Sequence, residues 1–145
     1  MDNPLIHSTV FKLHRATVLV DRIADDYLVR EHGIHYSAFV VLLMSSVLGA
    51  ATQTAIADNL AVSRASITQR VSALVVRGLL EVRSHPGDSR ANVVELTTAG
   101  TALFERAWRG LDEHQDGLDE GVDESALSAQ LDRLIANGTR ILGAS

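Results

Sequence analysis

The sequence predicts a mainly helical fold with one small β-hairpin, and three observations predict it. Two short stretches of helical periodicity, 52–60 and 63–77, are separated only by Ala61 and Val62, the tight connection of a helix-turn-helix. Two strand-like runs, 79–83 and 91–96, flank a Pro-Gly turn at His85-Pro86-Gly87-Asp88-Ser89-Arg90, the punctuation of a hairpin. Long amphipathic helical patterns occupy both ends of the chain. Helix, turn, helix and a hairpin with a basic tip make a winged helix-turn-helix, and the terminal helices make a second, helical lobe.

Taken in order, residues 5–31 read as the first long helix. Ile6, Leu13, Val20 and Tyr27 fall seven apart, with Val10, Thr17 and Ala24 between them, a heptad seam. Leu19, Ile23 and Leu28 widen that seam beyond what one partner helix covers. Gly33 stops the helix, and residues 36–48 form the next one, apolar nearly all round and therefore expected to be buried. Residues 49–51 read as a loop. Thr52 caps a short helix with Ala55, Ile56 and Leu60 inward, and Ser63 caps the second. Behind Ser63, Ile67, Val71, Leu74 and Val75 form one apolar stripe. The opposite face carries Ala65, Ser66, Gln69, Ser72 and Ala73, with Thr68 and Arg70 on its flanks. Gly78 supplies the C-terminal stop. After the hairpin, residues 101 to about 118 make a second long helix, and Asp123 caps a last one bearing Leu127, Leu131, Leu134, Ile135, Ile141 and Leu142. The apolar stripes at the two ends predict association with a partner.

The helix face opposite the stripe is short, hydrogen-bonding and free of carboxylates. A helix that reads a DNA groove needs small residues for close approach, an amide for adenine and guanidinium for guanine or phosphate. An ordinary surface helix more often mixes Glu with Lys.

In this region the chain resembles the MarR (multiple antibiotic resistance regulator) transcription factors. The residues that carry the resemblance are Ile56-Ala57, Val62-Ser63, Ser66-Ile67-Thr68, Leu74, Gly78-Leu79 and Arg83. They continue through Asp88-Ser89-Arg90-Ala91 in the wing and Leu96-Thr97-Thr98-Ala99-Gly100 after it. Three positions depart from the family pattern: Arg70 stands where an apolar residue is usual, and Val75 and Val76 where charged ones are. The resemblance covers nearly the whole chain and implies one MarR-type domain, 1–145. In it 52–100 is the winged helix-turn-helix, and 1–50 and 101–145 are mainly dimerisation helices. It also implies a repressor released from its operator by a small aromatic or anionic effector held between the lobes, and Arg90 in the minor groove, oriented by Asp88.

A two-fold dimer presents its reading helices to successive major grooves, so the expected partner is double-stranded DNA with a pseudo-palindromic operator. The DNA-binding candidates are Ser63, Arg64, Ala65, Ser66, Thr68, Gln69, Arg70, Ser72, Arg83, Asp88 and Arg90. Arg64, Ser66, Gln69 and Thr68 are assigned to base edges, Arg70 and Ser72 to phosphate or sugar. The effector candidates, by position, are His14, Arg15, His35, Tyr36, Phe39 and Trp108; the plainer alternatives are core packing for Phe39 and Trp108 and helix capping for His35.

Charge is consistent once it is located. The net charge of −5 comes from 97–145, with four Arg against nine acids, whereas 63–90 carries five Arg against Glu81 and Asp88. Local charge, not the total, is what phosphates meet. The absence of cysteine excludes disulfides, thiolate metal sites and a thiol switch. Six histidines raise metal sensing as an alternative, but no His-x3-His pair occurs, so no metal and no cofactor is expected. No G-x-S-x-G, P-loop, H-E-x-x-H or dinucleotide fingerprint occurs, which speaks against an enzyme. A constitutive architectural DNA protein is the remaining alternative. No apolar run approaches the ~20 residues that span a bilayer and no secretory pattern opens the chain, so a cytoplasmic protein is expected.

Overall fold

A computed structural model describes residues 3–85 and 87–143, with the backbone alone described at His85 and at 88–91. The chain forms two compact units, Met1–Glu113 and His114–Ser145.

In the first unit a 3-10 turn, Pro4–His7, precedes helix α1, Thr9–His32. The expected start at residue 5 is corrected by Ser8. That residue adopts an extended backbone, and its hydroxyl accepts the Phe11 N–H at 3.1 Å, so the helix begins behind it. Ile6 therefore lies off the seam. Gly33, at φ 63°, ends α1. Only Leu28 of α1 is buried, while Val10, Leu13 and Val20 stay exposed. Helix α2, Tyr36–Leu48, buries Phe39, Val41, Leu42 and Ser45. It is not covered all round: Val47 is 68% exposed at its far end. The expected loop that follows contains a strand fragment, because Ala51 and Val94 exchange backbone hydrogen bonds of 3.1 and 2.7 Å.

Helix α3, Gln53–Leu60, is capped by the Thr52 hydroxyl and buries Ile56 and Ala57. Ala61 turns the chain at φ 53°, a left-handed conformation that costs a non-glycine residue about 1 kcal/mol. Helix α4, Arg64–Val76, is capped by Ser63 and buries Ile67, Val71 and Leu74. Val75 leaves the expected stripe and is 38% exposed. Gly78, at φ 74°, closes α4: its N–H goes to the Val75 carbonyl and the Leu79 N–H to that of Leu74.

Strands β1, Leu80–His85, and β2, Asp88–Leu96, pair antiparallel from Leu80↔Leu96 to Ser84↔Asn92. The register then shifts, so His85 pairs with Asp88. Pairing thus reaches into the stretch expected to be a six-residue turn. Helix α5, Thr98–Glu113, starts earlier than expected and ends before 118. Further carboxylates at a helix C-terminus oppose the helix dipole, and Gly117 beyond it adopts φ 84°. The core of this unit joins Leu28, Phe39, Leu42, Ile56, Leu74, Leu80, Val94 and Leu103.

Thr97 stitches the junction of wing and helix. Its hydroxyl accepts the Gly100 N–H at 3.0 Å and donates to the Gly78 carbonyl at 2.6 Å. Thr97→Ala removes both bonds and is expected to cost about 1–2 kcal/mol, read as a lowered midpoint in urea at constant slope.

The second unit holds helix α6, Glu124–Gly143, capped by Asp123, whose carboxylate accepts the Ala126 N–H at 3.1 Å. None of its residues is buried; Leu127, Leu134, Ile135 and Ile141 are each about half exposed or more.

Candidate nucleic-acid interface and effector cavity

Helix α4 is seated by Ile67, Val71 and Leu74, each 1% exposed. That seating turns Arg64, Ala65, Gln69, Ser72 and Ala73 to solvent, with Ser66 partly covered. The helix contains no carboxylate, so this face offers donors and small groups to an anionic polymer without like-charge repulsion. Ser63 itself is exposed, and its hydroxyl is committed to the Ser66 N–H at 3.1 Å.

Three expected contacts are already engaged inside the chain. Thr68 donates its hydroxyl to the Gln53 side-chain oxygen at 3.0 Å, which pins α4 to the start of α3. Arg70 is half-buried and donates from Nη1 to the Ser37 carbonyl at 3.1 Å, away from the outward face. Arg83 pairs with Glu95 across the hairpin at 2.6 Å. In this chain Thr68 and Arg70 are thus directed to Gln53 and to the Ser37 carbonyl. The side chains of Asp88 and Arg90 lie outside the described residues. Gln53, which sequence reasoning missed, carries no local signal for its role; only the packing of α3 on α4 brings it to Thr68. With Thr52, Thr54 and Asn92 it lines a polar recess of about 340 Å3 beside the wing.

The effector candidates separate into two groups. His35 and Tyr36 line a cavity of about 630 Å3 together with Asp21, Arg22, Asp25, Asp26 and Ser37. The capping role expected of His35 falls instead to Asp25 of α1, which accepts the Tyr36 N–H at 2.7 Å and lies 3.2 Å from His35 Nδ1. The Tyr36 N–H holds the Asp25 carboxyl below its ordinary range, outweighing burial, with His35 adding to the effect. This contribution to stability is complete above the usual carboxylate range and is lost as pH falls through the lowered value. Tyr36 is pushed up to about 12 by burial and by its hydrogen bond to Asp21. Phe39 belongs to the core and stacks on Phe104 at 5.7 Å, with Trp108 next in line at 6.1 Å and half exposed. His14 and Arg15 are exposed on α1 and line neither this cavity nor its neighbour.

That neighbour, of about 270 Å3, is walled by Asp21, Tyr36, Ser37, Val40, Leu60, Val62 and Arg70. It touches α1, α2, the helix-turn-helix connection and α4 at once. Among the described residues no three His, Asp or Glu side chains come together as a metal site requires, and no helix is long and apolar enough to cross a membrane.

The sequence model of the MarR family matches residues 32–91, from the end of α1 into β2. The transcriptional repressor CouR, solved bound to a 23-mer DNA duplex, is 27% identical and superposes with a TM-score of 0.78 over 92% of this chain and 94% of its own. Over residues 32–91 the chain is similar to the MarR family. Apo MarR from E. coli is 26% identical, with a TM-score of 0.75 over 90% of this chain and 96% of its own. A mutant of E. coli MarR complexed with operator DNA is 27% identical, with a TM-score of 0.70 over 84% and 89%. No curated protein sequence matches the chain. The matched span covers the helix-turn-helix and the first part of β2, while the structural matches take in the flanking helices as well.

Proposed function

We propose that this chain is a MarR-type protein: a homodimeric, sequence-specific transcriptional regulator of the cytoplasm, a repressor released from its operator by a small molecule. One observation carries the reading: the carboxylate-free outward face of α4, presented by a fully buried inner face. Arg64, Ser66 and Gln69 read base edges in the major groove, and Ser72 and the wing hold the backbone. Arg90 enters the minor groove. The exposed apolar faces of α1 and α6 supply the dimer contacts, and the two copies engage an imperfect palindrome with half-sites about 10 bp apart. CouR and the E. coli MarR mutant, both solved on DNA, support this assignment of the surface.

Selection of bound sequences from a random DNA pool tests the reading. A palindromic consensus is expected; retention without sequence preference would leave a structural DNA protein, and no retention would leave neither. Within the wing, Arg90→Ala is expected to weaken binding about tenfold on every sequence, with a salt slope shallower by about one. Gel-shift titrations at several salt concentrations measure both quantities.

A further inference from the structure

Two opposite charges face the smaller cavity without pairing. Arg70 and Asp21 both wall its volume of about 270 Å3, yet no ion pair joins them. Each is held back by a neutral partner. Arg70 is tied to the Ser37 carbonyl, and Asp21 to the Tyr36 hydroxyl. Neither tie exhausts its group, since a guanidinium has five donors and a carboxylate about four acceptor sites. Between them Val40, Leu60 and Val62 provide an aliphatic wall.

We infer that this cavity binds a small zwitterion with an aliphatic side chain, the chemistry of an apolar α-amino acid. Its carboxylate goes to Arg70, its ammonium to Asp21 and its side chain to Val40, Leu60 and Val62. A simple anion would satisfy Arg70 and leave Asp21 facing like charge in the same confined space. A simple cation would do the reverse. Only a molecule carrying both charges compensates both walls, and partly desolvated charge is costly unless it is paired. The two groups are already held apart at their stations, so little ordering opposes binding.

The consequence, which rests on the regulator reading, is mechanical. Asp21 belongs to α1 and Arg70 to α4, so the ligand bridges the long helix to the reading helix. Any difference in its affinity between DNA-competent and DNA-incompetent positions of α4 appears reciprocally in DNA binding.

Calorimetric titration of the full chain with L-leucine, 4-methylpentanoate and 3-methylbutylamine tests the assignment without DNA. Leucine is expected to bind at least about tenfold more tightly than either singly charged analogue. Asp21→Asn should abolish its advantage over 4-methylpentanoate, and Arg70→Met its advantage over the amine. Equal binding of either analogue by the unaltered protein, or no saturable heat with leucine, overturns the inference even if both variants fail to fold. Selection from random DNA is run on the same preparation. Leucine binding by a protein that selects no sequence upholds the cavity and removes the regulator; a palindromic consensus with no leucine binding does the opposite.

Discussion

Gly100→Ala is expected to unfold the junction between wing and α5, at a cost of about 3 kcal/mol or more. Gly100 is buried in the first turn of α5. A Cβ built there falls 1.9 Å from the Leu79 carbonyl oxygen and 2.9 Å from its carbon. These are backbone atoms and cannot swing aside as a side chain does. Leu79 is fixed on both sides: its N–H closes α4 on the Leu74 carbonyl, and its carbonyl accepts the Thr97 N–H at 3.2 Å. Relief of the clash would break the end of α4 or the start of the hairpin. A melt followed by circular dichroism, at fixed protein concentration, should show Tm lowered on the order of 10 °C. Gly138→Ala is the internal control. A Cβ there meets nothing within 4 Å, and replacing a mid-helix glycine favours the helix by about 0.5–1 kcal/mol. A Gly100→Ala protein melting like the unaltered one would show that the two backbones separate freely.

What was legible in the sequence was local. Ser63, Thr52 and Asp123 each announce a helix start because the capped N–H lies three residues on. Gly33 and Gly78 announce ends because only glycine takes positive φ without strain. The buried triad of α4 follows from helical spacing alone. What was not legible depends on which distant element arrives alongside. Asp25 caps α2 from eleven residues away, and Ala51 finds its strand partner at Val94. Arg70 is the sharpest case. Beside Gln69 in sequence it looks like one more polar group for DNA, but the carbonyl that claims it lies 33 residues back. Seven-residue spacing also predicted a helix through Ile6, where Ser8 and Pro4 impose a break that periodicity does not register.

The outward face of α4 makes Gln69→Ala the substitution expected to change recognition most. Gln69 is exposed, one position from a residue that is turned inward and within one turn of Ser66 and Ser72. Its amide offers a donor and an acceptor side by side, the pair that matches adenine in the major groove. Removing it should cost about 1–3 kcal/mol on the preferred sequence, on the order of five- to 150-fold, and relax preference at one position in each half-site. Affinity for unrelated DNA and the salt slope should stay unchanged, because a neutral amide releases no counterion from phosphate. This separates it from Arg90→Ala, whose effect is uniform across sequences and screened by salt. The fold is insulated from the change: Gln69 is exposed, and α4 remains seated by Ile67, Val71 and Leu74. Competition gel shifts against single-base variants of the selected operator measure the effect. Equal weakening on every variant would place Gln69 on the DNA backbone, and base reading would then fall to Arg64 and Ser66 in the first turn of the helix.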